Sequence, residues 1–232
     1  MKRFLKKILL RIGLRKKVAL PARSIFKSIH GERNRVRYKD AVLESVKFDI
    51  IGSGNRIVIK PGCVINHVTF YIRGDNHKIL INDHCRFNGG GSIWLEGDNC
   101  SLRIGKQTTF ENVHLALTEQ GSKLSIGRDC MFAYSIEVRT GDSHSVISRA
   151  TNERINHVKN IMIGDHVWVA AHCIILKGVS IASDSVVATG AVVTKSFSTE
   201  GIVIGGNPAV KLKDGITWSR ERIRRGGSKC EE

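Results

Sequence analysis

The sequence predicts an all-β fold of short strands wound into stacked coils, and three observations predict it. From Ile163 the chain divides into hexads, IGDHVW, VAAHCI, ILKGVS, IASDSV, VATGAV and VTKSFS, each opening on Ile or Val. Earlier, GSGNRIVI (52–59), GDNHKILI (74–81), GDNCSLRI (97–104) and EQGSKLSI (119–126) align without gaps, at starts spaced 22, 23 and 22 residues apart. Cys63, Cys85, Cys130 and Cys173 all fall at a fifth hexad position, where a small, mildly apolar inward side chain is wanted. A helix does not repeat every six residues. Short strands joined by turns do, because one branched residue per strand can point inward while small residues turn the corners.

Taken in order, residues 1–40 read as a basic N-terminal helical segment. Leu5, Ile8, Leu9 and Ile12 mark one helical face, and Lys2, Arg3, Lys6, Lys7, Arg11 and Arg15 fill much of the remainder. Such a helix suits an anionic membrane surface, at about 1 kcal/mol per basic residue. It equally suits packing on its own body or on a neighbouring subunit, and the sequence leaves both open. There is no apolar run long enough to cross a membrane and no signal-peptide core. The expected location is therefore the cytoplasm, at the inner face of the cell membrane if the helix binds there. Of the formal net charge of +16, residues 1–40 carry +12 and residues 211–232 carry +3. A nucleic-acid binder would show a basic stripe on its folded body with aromatics to stack on bases, and only 6% of the chain is aromatic, so no nucleic-acid partner is expected.

Residues 41–204 form the coils. Three hexads make one turn, so the early coils carry four or five extra residues each, expected at one corner (74–77, 97–101 and 119–122). Counting on from Ile59, Ile81, Ile104 and Ile126 places Ile65, Phe87, Phe110 and Phe132 in one inward column. Cys100 is expected at a turn and Cys230 in the tail, 205–232. With no CxxC and no secretory context, the cysteines read as packing residues rather than metal ligands or disulfides. The beat breaks once. From Val138 the chain takes 25 residues to reach the next Ile-Gly, against 10 or 11 in earlier coils, and the excess leaves a corner beside Gly141, Asp142, Ser143 and His144. A solenoid can extrude a loop, here 141–160, without disturbing its neighbours, and long loops in compact domains are commonly functional.

The hexad run with GGNPAVKLK (205–213) resembles the hexapeptide-repeat acyltransferases. The likeness covers about 42–213. Its most specific part, VRTGDSHS, ERIN, IGDHVWVA, ILKGV and SVVATGAVVTK, looks most like the bacterial polysaccharide O-acetyltransferases of that family. The resemblance implies a left-handed parallel β-helix, a homotrimer with active sites between subunits, and acetyl transfer from acetyl-CoA to a saccharide hydroxyl of a capsular or O-antigen polysaccharide or its precursor. It implies His144 as the general base. Imidazole titrates near neutrality, so it can take the hydroxyl proton during attack and return it to the departing thiolate. Asp142 is the nearest acid to orient the ring, though a backbone carbonyl would serve equally.

On the donor side the resemblance places Trp168, Ala170 and Ala171 beside the thioester, with the Ala171 amide as oxyanion donor. Ala188, Thr189, Thr194 and Lys195 would line the pantetheine arm, and Lys211 and Lys213 would approach the phosphates. Two departures stand out: Ala170 replaces a common Gly, and Val210 replaces a common Lys or Arg. Asn112 and His157 are the candidate acceptor contacts. His166 and His172 occupy fourth hexad positions, facing outward near corners. Two other readings remain: acyl transfer to a small acceptor (a sugar amine, a simple sugar or serine), and a non-acylating β-helix such as a γ-class carbonic-anhydrase-like enzyme or a scaffold. The histidine spacing does not suit the metal version, and no metal is expected.

Overall fold

A computed structural model describes residues 24–223. The expected amphipathic helix and Cys230 lie outside the described residues. Alternating burial along each strand puts Ile, Leu, Val and Phe inward and polar residues outward, and parallel hydrogen bonds tie every strand to its counterpart one coil away. The result is a three-sided prism. Face A has eight strands, from Ile25–His30 through Val46–Ile51, Val68–Arg73, Gly91–Glu96, Val113–Thr118 and Ile136–Arg139 to Ile174–Ile175 and Val192–Val193. Face B has seven: Arg35–Arg37, Arg56–Ile59, Lys78–Ile81, Ser101–Ile104, Lys123–Ile126, Ile161–Ile163 and Ser180–Ile181. Face C runs from Val42–Glu44 to Val203–Gly205, where Val210–Lys213 folds back antiparallel and covers the last edge. Each coil proceeds from B to C to A. No helix among the described residues is long and apolar enough to cross a membrane.

The core columns fall where the sequence puts them. Phe87, Phe110 and Phe132 stack at centroid spacings of 4.4 and 4.8 Å, continuing a column that runs from Leu43 through Ile65. The fifth-position column lies at the B–C corner, where Cys63, Cys85, Thr108 and Cys130 each bond the carbonyl of Asn82, Gly105, Gly127 and Gly164 respectively. Burial pushes the Cys130 thiol up to about 12.

Three features differ from expectation. The coils begin at Ile25, so Arg33, Arg35 and Arg37 sit on the folded body rather than on a helix. The first coil escaped the periodicity because it covers the open end of the stack, where its inward positions tolerate Lys27 opposite Phe48. The extra residues of the early coils lengthen the strands of face A to six residues as well as widening the A–B corner. At that corner the backbone of successive coils approaches so closely that a Cβ on Gly74, at φ +114°, would lie 1.6 Å from the Gly97 carbonyl oxygen.

Cys100, finally, is buried beside its turn, in a polar ladder. Asn34 Oδ1 accepts the Asn55 N–H (3.0 Å), Asn55 Oδ1 accepts the His77 N–H (2.9 Å), and His77 Nδ1 accepts the Cys100 N–H (3.1 Å). The ladder satisfies buried amides that the widened corner strips of strand partners. It also fixes the His77 tautomer, because Nδ1 must accept while Nε2 donates to the Arg73 carbonyl. Burial holds His77 below the usual imidazole range, outweighing the opposing pull of the Arg73 carbonyl and Asp98. A folded-state value below the unfolded one means that stability is complete above the unfolded pKa, ~6.5, and falls as pH drops beneath it. The melting temperature should therefore fall between pH 7 and 5. In His77→Asn, which repeats the Asn55 rung, that fall should be shallower. Parallel pH profiles for the two proteins would show that His77 contributes nothing to acid sensitivity.

Candidate active site

The loop 141–160 leaves the stack at the A–B corner, between Arg139 on face A and Ile161 on face B. The stack closes behind it as though nothing had been inserted, with Leu124 opposite Ile161 and Ile126 opposite Ile163. Gly141 opens the loop directly over Thr118, whose Oγ1 would lie 2.3 Å from a Cβ at that position. Only glycine lets the chain leave so close to the preceding coil.

Loop amides cannot join the ladder, so side chains hold the loop. Asn156 is buried at its centre. Its Nδ2 donates to Asp142 Oδ2 and to the His144 carbonyl, both at 2.8 Å, and its Oδ1 accepts the Val146 N–H at 2.8 Å and Arg154 Nε at 3.1 Å. Lys177, from the A–B corner of the next coil, bonds Asp142 Oδ2 and also the Asn156 carbonyl at 3.0 Å. Arg154 grips Glu119 of the preceding coil with both terminal nitrogens, one of them at 2.9 Å. Partial burial would raise the Asp142 carboxyl, but the hydrogen bonds from Lys177 and Asn156 and the charges of Lys177 and Arg139 outweigh it and hold it below the usual range.

His144 is exposed, and its main chain is tied through the Asn156 bond and its own N–H to the Asp142 carbonyl at 2.7 Å. Its ring bonds to nothing among the described residues. The Asp142 carboxylate bonds Lys177 and Asn156 through Oδ2, anchoring the loop, and makes no bond to the imidazole in this structure. His157 is exposed on the same loop.

The other expected residues fall into separate groups. Thr194 and Lys195 share the A–B corner one coil beyond Lys177, and both are exposed. Ala170, Ala171, Ala188 and Thr189 turn the C–A corner, with Trp168 half-buried on face C beside them. The Ala170 amide bonds the Val187 carbonyl and the Ala171 carbonyl accepts the Gly190 N–H, while the Ala171 N–H donates to nothing among the described residues. Ala170 tolerates its Cβ because the left-handed residue of this turn is His172, at φ +59°. Asn112 lies at the C–A corner of an earlier coil, its Nδ2 3.4 Å from the Gly89 carbonyl. Lys211 is paired with Asp214 at 2.7 Å, and Lys213 lies exposed on the antiparallel cap.

His166 belongs to none of these groups. It turns the B–C corner at φ +52°, bonds Asp184 through Nδ1 at 2.8 Å, and is covered by Trp218 of the tail, stacked at 4.2 Å. The residues that sequence reasoning missed are Asn156, Lys177, Arg154 and Glu119. Asn156 and Lys177 lie inside the ERIN and ILKGV stretches of the resemblance, but nothing in the spacing tells that they would meet.

A three-sided β-helix with a histidine-bearing loop extruded at one corner is the arrangement that the resemblance to the hexapeptide-repeat acyltransferases implies. No family model matches the chain. It is 38% identical over 181 residues to a polysialic acid O-acetyltransferase of Neisseria meningitidis, a match covering 78% of this chain and 83% of that one. A polysialic acid O-acetyltransferase of Escherichia coli is 32% identical over 117 residues, half of this chain and 38% of that one. Among solved structures, the polySia-specific acetyltransferase NeuO matches with a TM-score of 0.76 at 28% identity, covering 85% of this chain and 83% of the other. The polysialic acid O-acetyltransferase OatWY matches with a TM-score of 0.73 at 32% identity, covering 86% and 92%. The chain belongs to the hexapeptide-repeat family, with the bacterial polysaccharide O-acetyltransferases, and its coils are left-handed. The protein is an O-acetyltransferase.

Removing one anchor should loosen the loop without touching the ring it carries. Lys177→Met, or Asn156→Ala, is expected to make the loop cleavable by protease in otherwise folded protein. His144→Ala should leave protease resistance intact. A loop equally resistant in all three variants would show that the anchors do not hold it.

Proposed function

We propose that the protein transfers the acetyl group of acetyl-CoA to a hydroxyl of an acidic capsular polysaccharide of the sialic acid type, with His144 as general base. One observation carries this reading: the loop is tied at its main chain and by the side chains of Asp142, Asn156, Arg154, Lys177 and Glu119, yet presents the His144 ring unengaged. The likeness to polysialic acid O-acetyltransferases supports the acceptor class.

The chemistry follows from the residues. A saccharide hydroxyl is a poor nucleophile until a base removes its proton. The imidazole nitrogen takes that proton as the oxygen bonds to the thioester carbonyl carbon. Negative charge then collects on the carbonyl oxygen, where the free Ala171 N–H is suited to receive it; such donors are typically worth ~10²–10³ in rate. Collapse breaks the carbon–sulfur bond, and the thiolate of CoA leaves with the proton from the imidazolium. The half-buried indole of Trp168 and the small side chains of Ala170, Ala171, Ala188 and Thr189 suit a narrow arm at the C–A corner. Of the candidate donor-side lysines, Lys211 is paired with Asp214, while Lys195 and Lys213 have no acidic partner among the described residues and suit phosphates.

Within one chain, His144 belongs to the A–B corner and Ala171 to the C–A corner, so the base and the oxyanion donor sit on opposite edges of face A. A homotrimer in which one copy's A–B corner meets the next copy's C–A corner would complete each site between subunits.

His144→Ala should keep near-normal acetyl-CoA binding and melt within a few degrees of the parent, while transfer falls by ~10²-fold or more. Retention of more than half the activity would sink the base assignment. A second measurement concerns sharing. Mixed assemblies of His144→Ala and Trp168→Ala chains should recover part of the activity that each lacks alone, because some sites then combine two intact edges. No recovery in verified mixed assemblies would place the whole site in one chain.

A further inference from the structure

Face B carries a column of cations that no anion among the described residues neutralises. Strand pairing sets Arg35 opposite Arg56, Arg56 opposite Lys78, Lys78 opposite Ser101, and Ser101 opposite Lys123. All four charged side chains are exposed, and each lines one continuous groove with Arg33 at the adjoining corner. None of the five cations forms an ion pair, and the outward positions of face B hold no Asp or Glu. The neighbouring corner acids Asp75 and Asp98 are occupied by the amides of Ser53 and Asp75, at 2.7 and 2.8 Å. Coils repeat every ~4.8 Å, so the column presents fixed positive charge about every 5–10 Å over five coils. Its last member also fixes its direction. Lys123 is bonded through its N–H to Asn160 Oδ1 at 2.9 Å, and Asn160 ends the loop that holds His144.

We infer that this stripe is a docking track for an extended acidic polysaccharide, running along face B to the base of the His144 loop. The inference rests on the proposed acceptor class and extends it, from the sugar that reacts to the polymer stretch that does not. A chain with one carboxylate per sugar meets a column with about one cation per coil, and arginine suits carboxylates through paired N–H donors. Exposed pairs are individually weak and screened by salt, so the track acts through number and by raising local polymer concentration. A single sugar gains nothing from it. The track therefore discriminates by acceptor length.

The test combines Arg35→Glu, Arg56→Glu and Lys78→Glu in the full-length protein. These positions point to solvent and lie outside the catalytic loop and donor corner. With polysialic acid of more than twenty residues as acceptor, KM should rise about tenfold or more, from several weak pairs acting together. KM for a sialic acid trimer, KM for acetyl-CoA, and turnover should stay within twofold. The parent's preference for long over short acceptor should fade in 0.5 M salt. Equal KM for long polymer in both proteins, or equal loss on trimer and polymer, would overturn the track. Affinity electrophoresis with His144→Ala separates this from the acceptor assignment. Polysialic acid retarding His144→Ala but not the triple variant supports the track even if the parent acetylates no sialic polymer, a result that would sink the acceptor reading alone. Tighter binding of single-stranded RNA than of polysialic acid at equal charge would reassign face B to nucleic acid and overturn the inference.

Discussion

Everything in this molecule depends on the parallel register that stacks each coil on the one before. Because each strand bonds its counterpart one coil away, as Ile59 does Ile81 and Ile163 does Ile181, a residue's axial neighbours are fixed by the repeat and not by local sequence. Whatever a position holds, the stack turns into a column. Inward positions become stacked rings or rows of branched aliphatics. Corner positions become hydrogen-bond ladders, such as Asn34 to Asn55 to His77 to Cys100. Outward positions become stripes: Tyr71 lies on Trp94 at 3.8 Å on face A, and Arg35, Arg56 and Lys78 line face B. Like charges in adjacent strands oppose stacking. The cost is tolerable here because the side chains are long, exposed and surrounded by water.

Closing each coil carries its own constraint. At the B–C corner Asp40, Gly62, His84, Gln107, Asp129, His166 and Asp184 all take left-handed backbone, φ +51 to +71°. For residues other than glycine this conformation is uncommon, with Asn, Asp and His enriched in it. Many histidines that look chemical in the sequence are turn residues by this logic. His166 and His172 are two of them, and His77 is a buried rung. His144 is set apart by lying outside the stack, on a loop that the corner geometry does not explain.

The core was legible because inward columns are written in residue type every six or 22 positions. Ile65, Phe87, Phe110 and Phe132, and the cysteine column, needed only counting. The loop and His144 were legible as a break in that count, sharpened by family likeness. The loop's anchors were not. Asn156, Lys177, Arg154 and Glu119 come from three coils, and only a three-dimensional corner brings them together. The basic stripe was hidden for another reason. Charge summed along the chain assigned residues 1–40 to a helix and found the body almost neutral. Folding starts the coils at Ile25, and strand alternation sorts the cations onto face B while acids collect at corners and on other faces.

The anchors also bear on electrostatics. A loop that leaves the ladder forfeits its backbone partners, and ion pairs replace them: Asp142 with Lys177, and Glu119 with Arg154. Each pair is part-exposed and modest in strength alone, but the two share Asn156 and brace the loop from the coil before and the coil after. Paired within the loop, these two cations stand apart from the unpaired cations of face B. The rigid stack, the braced loop and the basic stripe of face B thus lie along one axis. The stack sets position, the loop carries His144 outside the coils, and face B turns its cations to solvent. The same register that lets a coil extrude a loop without cost to its neighbours keeps that loop in line with the track, because neither can slide relative to the other while the coils remain paired.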